Sequence, residues 1–114
     1  MPVTFINALN VDANDDAFFV EMWDEGANYV ATQPGFVATS LHKSHFSGAA
    51  FQYFTVAVWE SNAHFRAATS TDWWIAYRKR FGFDGDSPRF KATPSLCAIV
   101  RDKQGLFDCP TPRL

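Results

Sequence analysis

Four stretches of the chain alternate between hydrophobic and polar residues, or run as short apolar segments, in the way that is typical of β-strands. They are VTFINALNV (residues 3–11), FVATSLHKSHF (36–46), FQYFTVAVWE (51–60) and KATPSLCAIVR (91–101). In the first stretch the odd-numbered residues fall on one face and the even-numbered residues on the other. Only the short segment SGAA lies between the second and third stretches, which predicts a hairpin.

Between the first two strands the hydrophobic period changes to that of an α-helix. In residues 11–35, Phe19 and Trp23 belong to a series of apolar residues at helical spacing. Acidic residues crowd the first turn, where the helix dipole favours negative charge. The pair Pro34 and Gly35 ends the segment, so the pattern predicts one amphipathic helix.

A second helical segment follows the third strand. Ser61 is a preferred N-cap residue and marks its start. A second start signal at Thr71 and Asp72 predicts that the helix is broken near residue 70 and then resumes. The segment GFDGDSPRF (82–90) is rich in Gly, Asp and Pro, and we expect a loop there.

The resulting order of elements is strand, helix, strand, strand, helix, strand. With right-handed crossovers this order predicts an α+β domain of the ferredoxin-like βαββαβ type, with an antiparallel sheet and both helices on one face. We expect strands one and three to lie side by side and parallel in the centre. The domain covers residues 1–103, and residues 104–114, where two prolines oppose regular structure, form a C-terminal tail.

The third strand is apolar on both faces, with Val56 and Val58 on one and Ala57 and Trp59 on the other. Two helices cover only one face of a sheet, and the uncovered face of an antiparallel sheet is normally polar. An apolar open face is typical of an interaction surface. We therefore predict a homodimer with two-fold symmetry, packed sheet against sheet.

Composition narrows the range of partners. The chain has a formal net charge of -2 and ten scattered Lys and Arg residues, which is a poor match for nucleic acid. No apolar run reaches the roughly 20 residues that span a bilayer, and the N-terminus lacks the pattern of a signal peptide. Cys97 and Cys109 show no metal-ligand spacing, so we expect reduced thiols in a cytoplasmic protein that binds no membrane.

Trp59, at the end of the third strand, is a candidate for a pocket wall, although Trp is also highly buried on average and core packing is the alternative. Tyr53, Thr55 and Ala57 share its face, and such a mixture of aromatic and polar residues is typical of ligand pockets. Asn7 on the neighbouring strand faces the same side. A buried Asn is unfavourable unless it is hydrogen-bonded, so Asn7 either pairs with backbone or is available to a ligand.

The three histidines do not form a metal set. His42 and His45 are three residues apart on one predicted strand and point to opposite faces. Surface or interface packing fits both, and His42 is in addition a candidate base or donor in the pocket. His64, in the first turn of the second helix, is expected to be solvated. No metal site is predicted.

The second helix carries Trp73, Trp74, Tyr77 and Phe81 at helical spacing, a pattern that is chiefly typical of a core. One of the first three can also face the pocket. Arg78 is a candidate partner for a substrate carboxylate or enolate, and a solvated surface arginine is the alternative.

Three segments of the chain together resemble a known family. QPGF opens the second strand, LHKS lies inside it, and VAVWES joins the third strand to the second helix. In a short ferredoxin-like chain these segments resemble the antibiotic biosynthesis monooxygenase (ABM) domain, over about residues 3–101. The resemblance implies a dimeric α+β barrel. It leaves open cofactor-free quinone-forming monooxygenases, haem-degrading monooxygenases, small isomerases and members of unknown role, because one fold hosts several functions.

Anthrone-oxidising members of this family resemble the chain at Trp59, whose indole N–H would help to bind a substrate oxygen. Their partner Asn on the same strand falls on Thr55, and their Tyr early in the second helix falls on Phe65. At these two positions the chain therefore has a weaker polar group and no polar group, respectively.

Haem-degrading members use an Asn on the first strand, which corresponds to Asn7. Their helix-two Trp and iron-binding His fall on Ala68 and Arg78 when the chains are matched without gaps. An insertion near residue 70 would supply a Trp but not the iron ligand, because no His follows His64.

Taken together, the resemblance implies a cofactor-independent, quinone-forming monooxygenase that acts with dioxygen on a small aromatic or polyketide-like substrate, such as a phenol, a hydroquinone or an anthrone. The protein would orient the ring, exclude water and favour the deprotonated form. The candidate catalytic residues are Asn7, Thr55, Trp59 and His42, and the candidate substrate-binding residues are Tyr53, Phe65, Trp73, Trp74, Tyr77 and Arg78. No cofactor is expected. The alternatives are a haem-binding or haem-degrading relative, an isomerase, and a non-catalytic ligand-binding domain; the haem alternative needs His42, His45 or His64 as the iron ligand.

Overall fold

The computed structural model describes residues 1–83 and 89–103. The strands and α-helices are β1 (Val3–Asn10), α1 (Asp16–Val30), β2 (Phe36–Lys43), β3 (Tyr53–Trp59), α2 (Asn62–Ala68), α3 (Asp72–Arg80) and β4 (Lys91–Ala98). One sheet contains the four strands in the order β2-β3-β1-β4. The predicted α+β ferredoxin-like fold is therefore confirmed. The predicted tail, Cys109 and part of the predicted loop lie outside the described residues.

The two central strands, β1 and β3, are antiparallel, and Asn7 lies directly opposite Thr55 in their register. The expectation of a parallel central pair was wrong. The crossover through α1 returns the chain to the same end of the sheet, so β2 runs in the direction of β1, and the hairpin then reverses the chain into β3. The antiparallel pairings of β1 with β4 and of β2 with β3 complete the sheet.

The helices α2 and α3 begin where the sequence predicts. The Ser61 hydroxyl accepts a hydrogen bond from the His64 backbone N–H and caps α2. The Thr71 hydroxyl accepts one from the Trp74 backbone N–H and caps α3. Because α2 ends at Ala68, the predicted break near residue 70 is confirmed, and it turns α3 onto the same side of the sheet as α1.

A glycine is required at the turn that follows α1. Gly35 has a φ of 81°, in the left-handed region that side chains disfavour, and a Cβ atom there would overlap the imidazole ring of His64. The Gly35 carbonyl accepts a hydrogen bond from the backbone N–H of Glu60. This close approach joins the start of β2 to the end of β3 and packs the first turn of α2 over both.

The buried core lies between the helices and one face of the sheet. Leu9, Phe19 and Phe90 are almost fully buried and belong to one cluster, and Trp59 belongs to a second cluster nearer the other end of the sheet. On the opposite face Ile6 is 37% exposed. The helices therefore cover the face that carries the odd-numbered residues of β1.

The strands are shorter than their sequence patterns. β2 ends at Lys43 and β4 at Ala98, and Val100, which we expected within the last strand, lies beyond it and is 77% exposed. Among the described residues, no helix is long and apolar enough to cross a membrane. The same part of the chain contains no group of three or more His, Cys, Asp or Glu side chains that could hold a metal ion.

Candidate active site

A cavity of about 710 Å³ lies between the helix-covered face of the sheet and the helices. Pockets of this size bind small organic molecules and bury most of their surface. Its lining comes from both central strands, from the outer strands and from all three helices. The lining residues used below are Asn7, Met22, Trp23, Gly26, Thr39, Thr55, Trp59, Phe65, Arg66, Trp74, Tyr77, Arg78 and Lys91.

Asn7 lines the cavity from the middle of β1. Its side-chain oxygen Oδ1 is buried and has no hydrogen-bond partner among the described residues. Buried polar atoms in native proteins are nearly always hydrogen-bonded, so an orphaned acceptor at a cavity indicates a place for a ligand or a water molecule. The sequence left two roles open for Asn7, pairing with the backbone or being available to a ligand. Among the described residues, no backbone group pairs with Oδ1.

Thr55 lies opposite Asn7 on β3, and its hydroxyl forms one hydrogen bond with the described residues. The indole N–H of Trp23 donates a hydrogen bond to Thr55 Oγ1 over 3.1 Å, from the middle of α1. Both residues line the cavity. This bond spans the space between helix and sheet and fixes the rotamer of the threonine at the cavity surface.

The end of the cavity near the start of β1 is aromatic. Trp59 is 2% exposed and meets the rings of Phe36 and Phe65 edge to face, at centroid distances of 5.5 and 6.2 Å. Phe65 in turn packs on Phe5 at 5.1 Å. These rings hold Trp59 rigidly and offer flat apolar surface to a planar ligand.

Tyr77 and Trp74 supply the side of the cavity formed by α3, with ring centroids 5.0 Å apart. The Tyr77 hydroxyl donates a hydrogen bond of 2.6 Å to the backbone carbonyl of Met22. Burial, and secondarily the negative charge of Glu25, raises the pKa of Tyr77 above its ordinary value. Tyr77 is therefore a protonated, hydrogen-bonded wall residue at neutral pH and not a base.

Three cationic side chains line the cavity: Arg66, Arg78 and Lys91. Arg66 Nε donates to the neutral Asn62 side chain, and the Arg78 guanidinium lies 5.7 Å from the ring centre of Phe83. No Asp, Glu, His or Cys is among the described residues that line the cavity. The charged groups of the described lining are therefore all cationic.

Of the ten residues that the sequence indicates for the site, seven line the cavity and three do not. Asn7, Thr55, Trp59, Phe65, Trp74, Tyr77 and Arg78 line it, whereas His42, Tyr53 and Trp73 lie elsewhere.

The structure corrects the placement of these three. His42 lies on the opposite face of the sheet, exposed, with Nε2 2.8 Å from the Ser40 hydroxyl. Tyr53 is on the expected face, but Phe19 packs against its ring and its hydroxyl donates to Asp16, so it is part of the core. Trp73 points away and stacks on Tyr29 at 3.9 Å.

The histidines also test the haem alternative. His42 is on the other sheet face, His45 is exposed in the hairpin connection, and His64 Nδ1 lies 2.7 Å from the Ser61 hydroxyl. None of them lines the cavity. The residues present therefore do not fit a haem held in this cavity by histidine, which is the usual proximal ligand.

Two further residues, Trp23 and Arg66, line the cavity although the sequence does not indicate them for the site. The sequence places Trp23 in the apolar stripe of the first helix, and the structure shows that its half-buried indole N–H donates to Thr55. Arg66 lies on the cavity side of α2, which depends on how that helix packs against the sheet and not on a local sequence pattern.

The chain is similar to a known protein family and to several solved structures. The sequence model described as antibiotic biosynthesis monooxygenase matches residues 2–80. None of the curated proteins matches the chain at a significant level. A candidate monooxygenase from Shewanella loihica PV-4, with a solved structure, is 32% identical; the match covers 89% of this chain and 96% of that chain, with a TM-score of 0.69.

Two further solved structures have the same fold at lower identity. SnoaB, a cofactor-independent oxygenase from Streptomyces nogalater, is 22% identical over 91% of this chain and 97% of its own, with a TM-score of 0.72. The heme-degrading protein Rv3592 from Mycobacterium tuberculosis is 23% identical over 90% of this chain and 99% of its own, with a TM-score of 0.62. The fold therefore occurs both in a cofactor-independent oxygenase and in a heme-degrading protein.

Proposed function

The chain belongs to the antibiotic biosynthesis monooxygenase family, and from that premise we propose that it is a cofactor-independent monooxygenase of the quinone-forming type. Its substrate is a small, electron-rich aromatic molecule, such as a phenol, a hydroquinone or an anthrone-like ring, and its oxidant is dioxygen. A cytoplasmic location stays a prediction from the sequence.

The cavity is the observation that carries this proposal. Asn7, Thr55 and Trp59 face a space of about 710 Å³ instead of a packed core, and the acceptor Oδ1 of Asn7 has no partner among the described residues. A pocket filled by its own aromatic side chains would have favoured a non-catalytic domain. An aromatic pocket with few polar groups is suited to orienting a flat ring.

The reaction balances without a further reductant. An anthrone-type substrate loses a proton and becomes an enolate, which transfers one electron to dioxygen. The substrate radical and superoxide combine, a C–O bond forms, and a proton completes a hydroperoxide. Loss of water breaks the O–O bond and leaves a carbonyl group, so that one oxygen atom enters the product and the other becomes water.

The residues contribute binding, orientation and charge. Trp59 and Phe65 hold the ring, and Asn7 and Thr55 address its oxygen. The cationic side chains Arg66, Arg78 and Lys91, which line the cavity and are exposed to solvent, attract and stabilise the enolate or phenolate. Because no carboxylate or histidine is among the described lining residues, the substrate proton passes to water at the open side of the cavity.

The residues that line the cavity also argue against an isomerase and against a haem enzyme. An isomerase needs a base that takes a proton and returns it to a neighbouring carbon. The candidate base or donor His42 lies on the opposite sheet face. A haem enzyme of the usual kind needs an iron ligand that the cavity does not supply through histidine. Oxygenation by the substrate's own electrons needs neither group.

Oxygen uptake with a panel of phenols, hydroquinones and anthrones tests the proposal. The expected result is one quinone formed per dioxygen consumed, with one isotope-labelled oxygen atom in the product. Asn7→Ala should lower kcat/KM about 10- to 100-fold, the loss expected for a hydrogen bond to a charged group. Trp59→Phe, which makes the surface that holds the ring smaller, should also lower kcat/KM. His42→Ala, outside the cavity, is the matched control and should leave the rate unchanged. No oxygen uptake with any substrate class would refute the proposal.

A further inference from the structure

Three side chains from three elements meet at the centre of the cavity surface. Asn7 and Thr55 are direct cross-strand partners on β1 and β3, and Trp23 on α1 is hydrogen-bonded to Thr55 over 3.1 Å. All three line the cavity. Side chains of cross-strand partners lie about 5 Å apart at Cβ, so the polar ends of Asn7 and Thr55 are within reach of one small group.

The bond from Trp23 fixes the direction of the Thr55 hydroxyl. An indole N–H is only a donor, so Thr55 Oγ1 is the acceptor in this bond. A hydroxyl has one proton of its own to donate, and no described residue accepts it from Thr55. Thr55 is therefore a donor toward the cavity.

Asn7 presents the complementary group. Its Oδ1 is an acceptor without a partner among the described residues, and it does not pair with the Thr55 hydroxyl. The terminal torsion of an Asn side chain is soft, so the amide can turn Oδ1 toward a ligand or present its N–H₂ group in its place. One donor and one acceptor thus lie side by side, unpaired with each other.

We propose that Asn7 and Thr55 form a binding pair for the hydroxyl group of the substrate, and that Trp23 is a positioning residue that makes Thr55 the donor. The substrate oxygen accepts from Thr55, and the substrate O–H donates to Asn7. When the substrate ionises, its proton leaves to water, the Thr55 bond becomes charge-assisted, and the Asn7 amide turns its N–H₂ group to the anion. The inference rests on the proposed function only for the choice of a phenol as ligand.

The test measures the ionisation of a bound phenol and needs no turnover. Under nitrogen, 2-naphthol is titrated with the full-length protein, and the pKa of the bound naphthol is read from its absorbance. Thr55→Val and Trp23→Phe should each raise that pKa by about one unit, a tenfold change in the acid dissociation constant. Thr55→Ser keeps the hydroxyl and should leave the pKa close to that of the wild type.

Thr39→Val is the matched control. Thr39 also lines the cavity, but its hydroxyl already donates to the Val56 carbonyl over 3.0 Å, so its removal should leave the pKa of bound naphthol unchanged. Circular dichroism verifies that each variant is folded. The inference is wrong if naphthol does not bind saturably, if Thr55→Val leaves the pKa unchanged, or if Trp23→Phe weakens binding without moving the pKa.

The outcomes also separate this inference from the proposed function. If naphthol binds with the expected pKa pattern while no substrate consumes oxygen, the hydroxyl-binding pair stands and the oxygenase does not. If oxygen is consumed but Thr55→Val leaves the pKa of bound naphthol unchanged, the oxygenase stands and the pair does not.

Discussion

The hydroxyl oxygen of Tyr77 lies 2.6 Å from the position that a Cβ atom would occupy on Gly26. Only a glycine leaves room there for the tyrosine to reach the Met22 carbonyl, one turn earlier on α1, to which it donates a hydrogen bond. The contact joins α3 to α1 at the cavity. The width of the cavity between these helices therefore depends on a missing side chain.

Gly26→Ala should destabilise the protein by about 1–3 kcal/mol, the usual range for overpacking. Alanine has the higher helix propensity, which would stabilise α1 by up to about 1 kcal/mol, so the clash must exceed that gain to be visible. Urea denaturation followed by circular dichroism measures the difference.

A double-mutant cycle isolates the clash. In a Tyr77→Phe background the hydroxyl is absent, although the ring carbon Cζ remains 2.9 Å from the new Cβ. Gly26→Ala should therefore destabilise that variant by less than it destabilises the wild type. Equal losses in the two backgrounds would show that the contact between Gly26 and Tyr77 is not the cause.

Much of this architecture could be predicted from the sequence, because strand alternation and capping residues act locally. The shared face of Asn7, Thr55 and Trp59 followed from the period of two along each strand. The helix break followed from the second N-cap at Thr71. The side-chain roles of these residues stay predictions.

The features of the site that the sequence did not predict depend on tertiary geometry. Trp73 and Trp74 are adjacent and equally hydrophobic, and only the angle at which α3 meets α1 decides that Trp74 lines the cavity while Trp73 stacks on Tyr29. Likewise, the bond from Trp23 to Thr55 joins residues 32 apart in the chain, and no local pattern contains it.

The ion pair between Asp16 and Lys43 makes stability depend on acid. Lys43 Nζ donates to Asp16 Oδ2 over 3.0 Å, and this hydrogen bond lowers the pKa of Asp16 from its ordinary value of 3.8. A carboxyl whose pKa is lower in the folded state contributes stability above its unfolded pKa and loses that contribution as the pH falls through the folded value. The free energy of unfolding should therefore fall less steeply below about pH 4 in Asp16→Asn than in the wild type.

Urea denaturation at a series of pH values measures these slopes. Asp24→Asn on the same helix is the control, since Asp24 is exposed and forms no ion pair among the described residues. Its acid-side slope should match that of the wild type. If Asp16→Asn and Asp24→Asn have the same slope, the pair with Lys43 does not contribute.

The proposed mechanism predicts that the pH dependence of the rate belongs to the substrate. The described lining of the cavity has no carboxylate or histidine, and Tyr77 is held protonated by burial. The rate should rise with pH as the bound substrate ionises. For two phenols whose own pKa values differ by about two units, the midpoints of kcat against pH should differ in the same direction. A midpoint that is the same for both phenols would identify a base on the protein and contradict the mechanism.

The open face of the sheet leads to the last prediction, a homodimer in which a second copy of the chain covers it. Ile6 is 37% exposed there, opposite the half-buried Val56 on β3, whereas Thr4 and Val58 on the same face are already buried within the single chain. A sheet face that is exposed to water is normally polar, so these apolar side chains indicate a covering partner. Size-exclusion chromatography with light scattering should therefore give twice the mass of one chain, and Ile6→Glu should raise the dimer dissociation constant at least about 100-fold, because it buries a charge without a partner.

Val20 on α1 is 38% exposed, so Val20→Glu introduces the same charge at a matched exposure away from this face and should leave the dimer intact. Val56→Thr, which keeps the branched side chain, should weaken the dimer less than Ile6→Glu. A monomeric wild type, or equal dissociation by Ile6→Glu and Val20→Glu, would show that this face is not the interface.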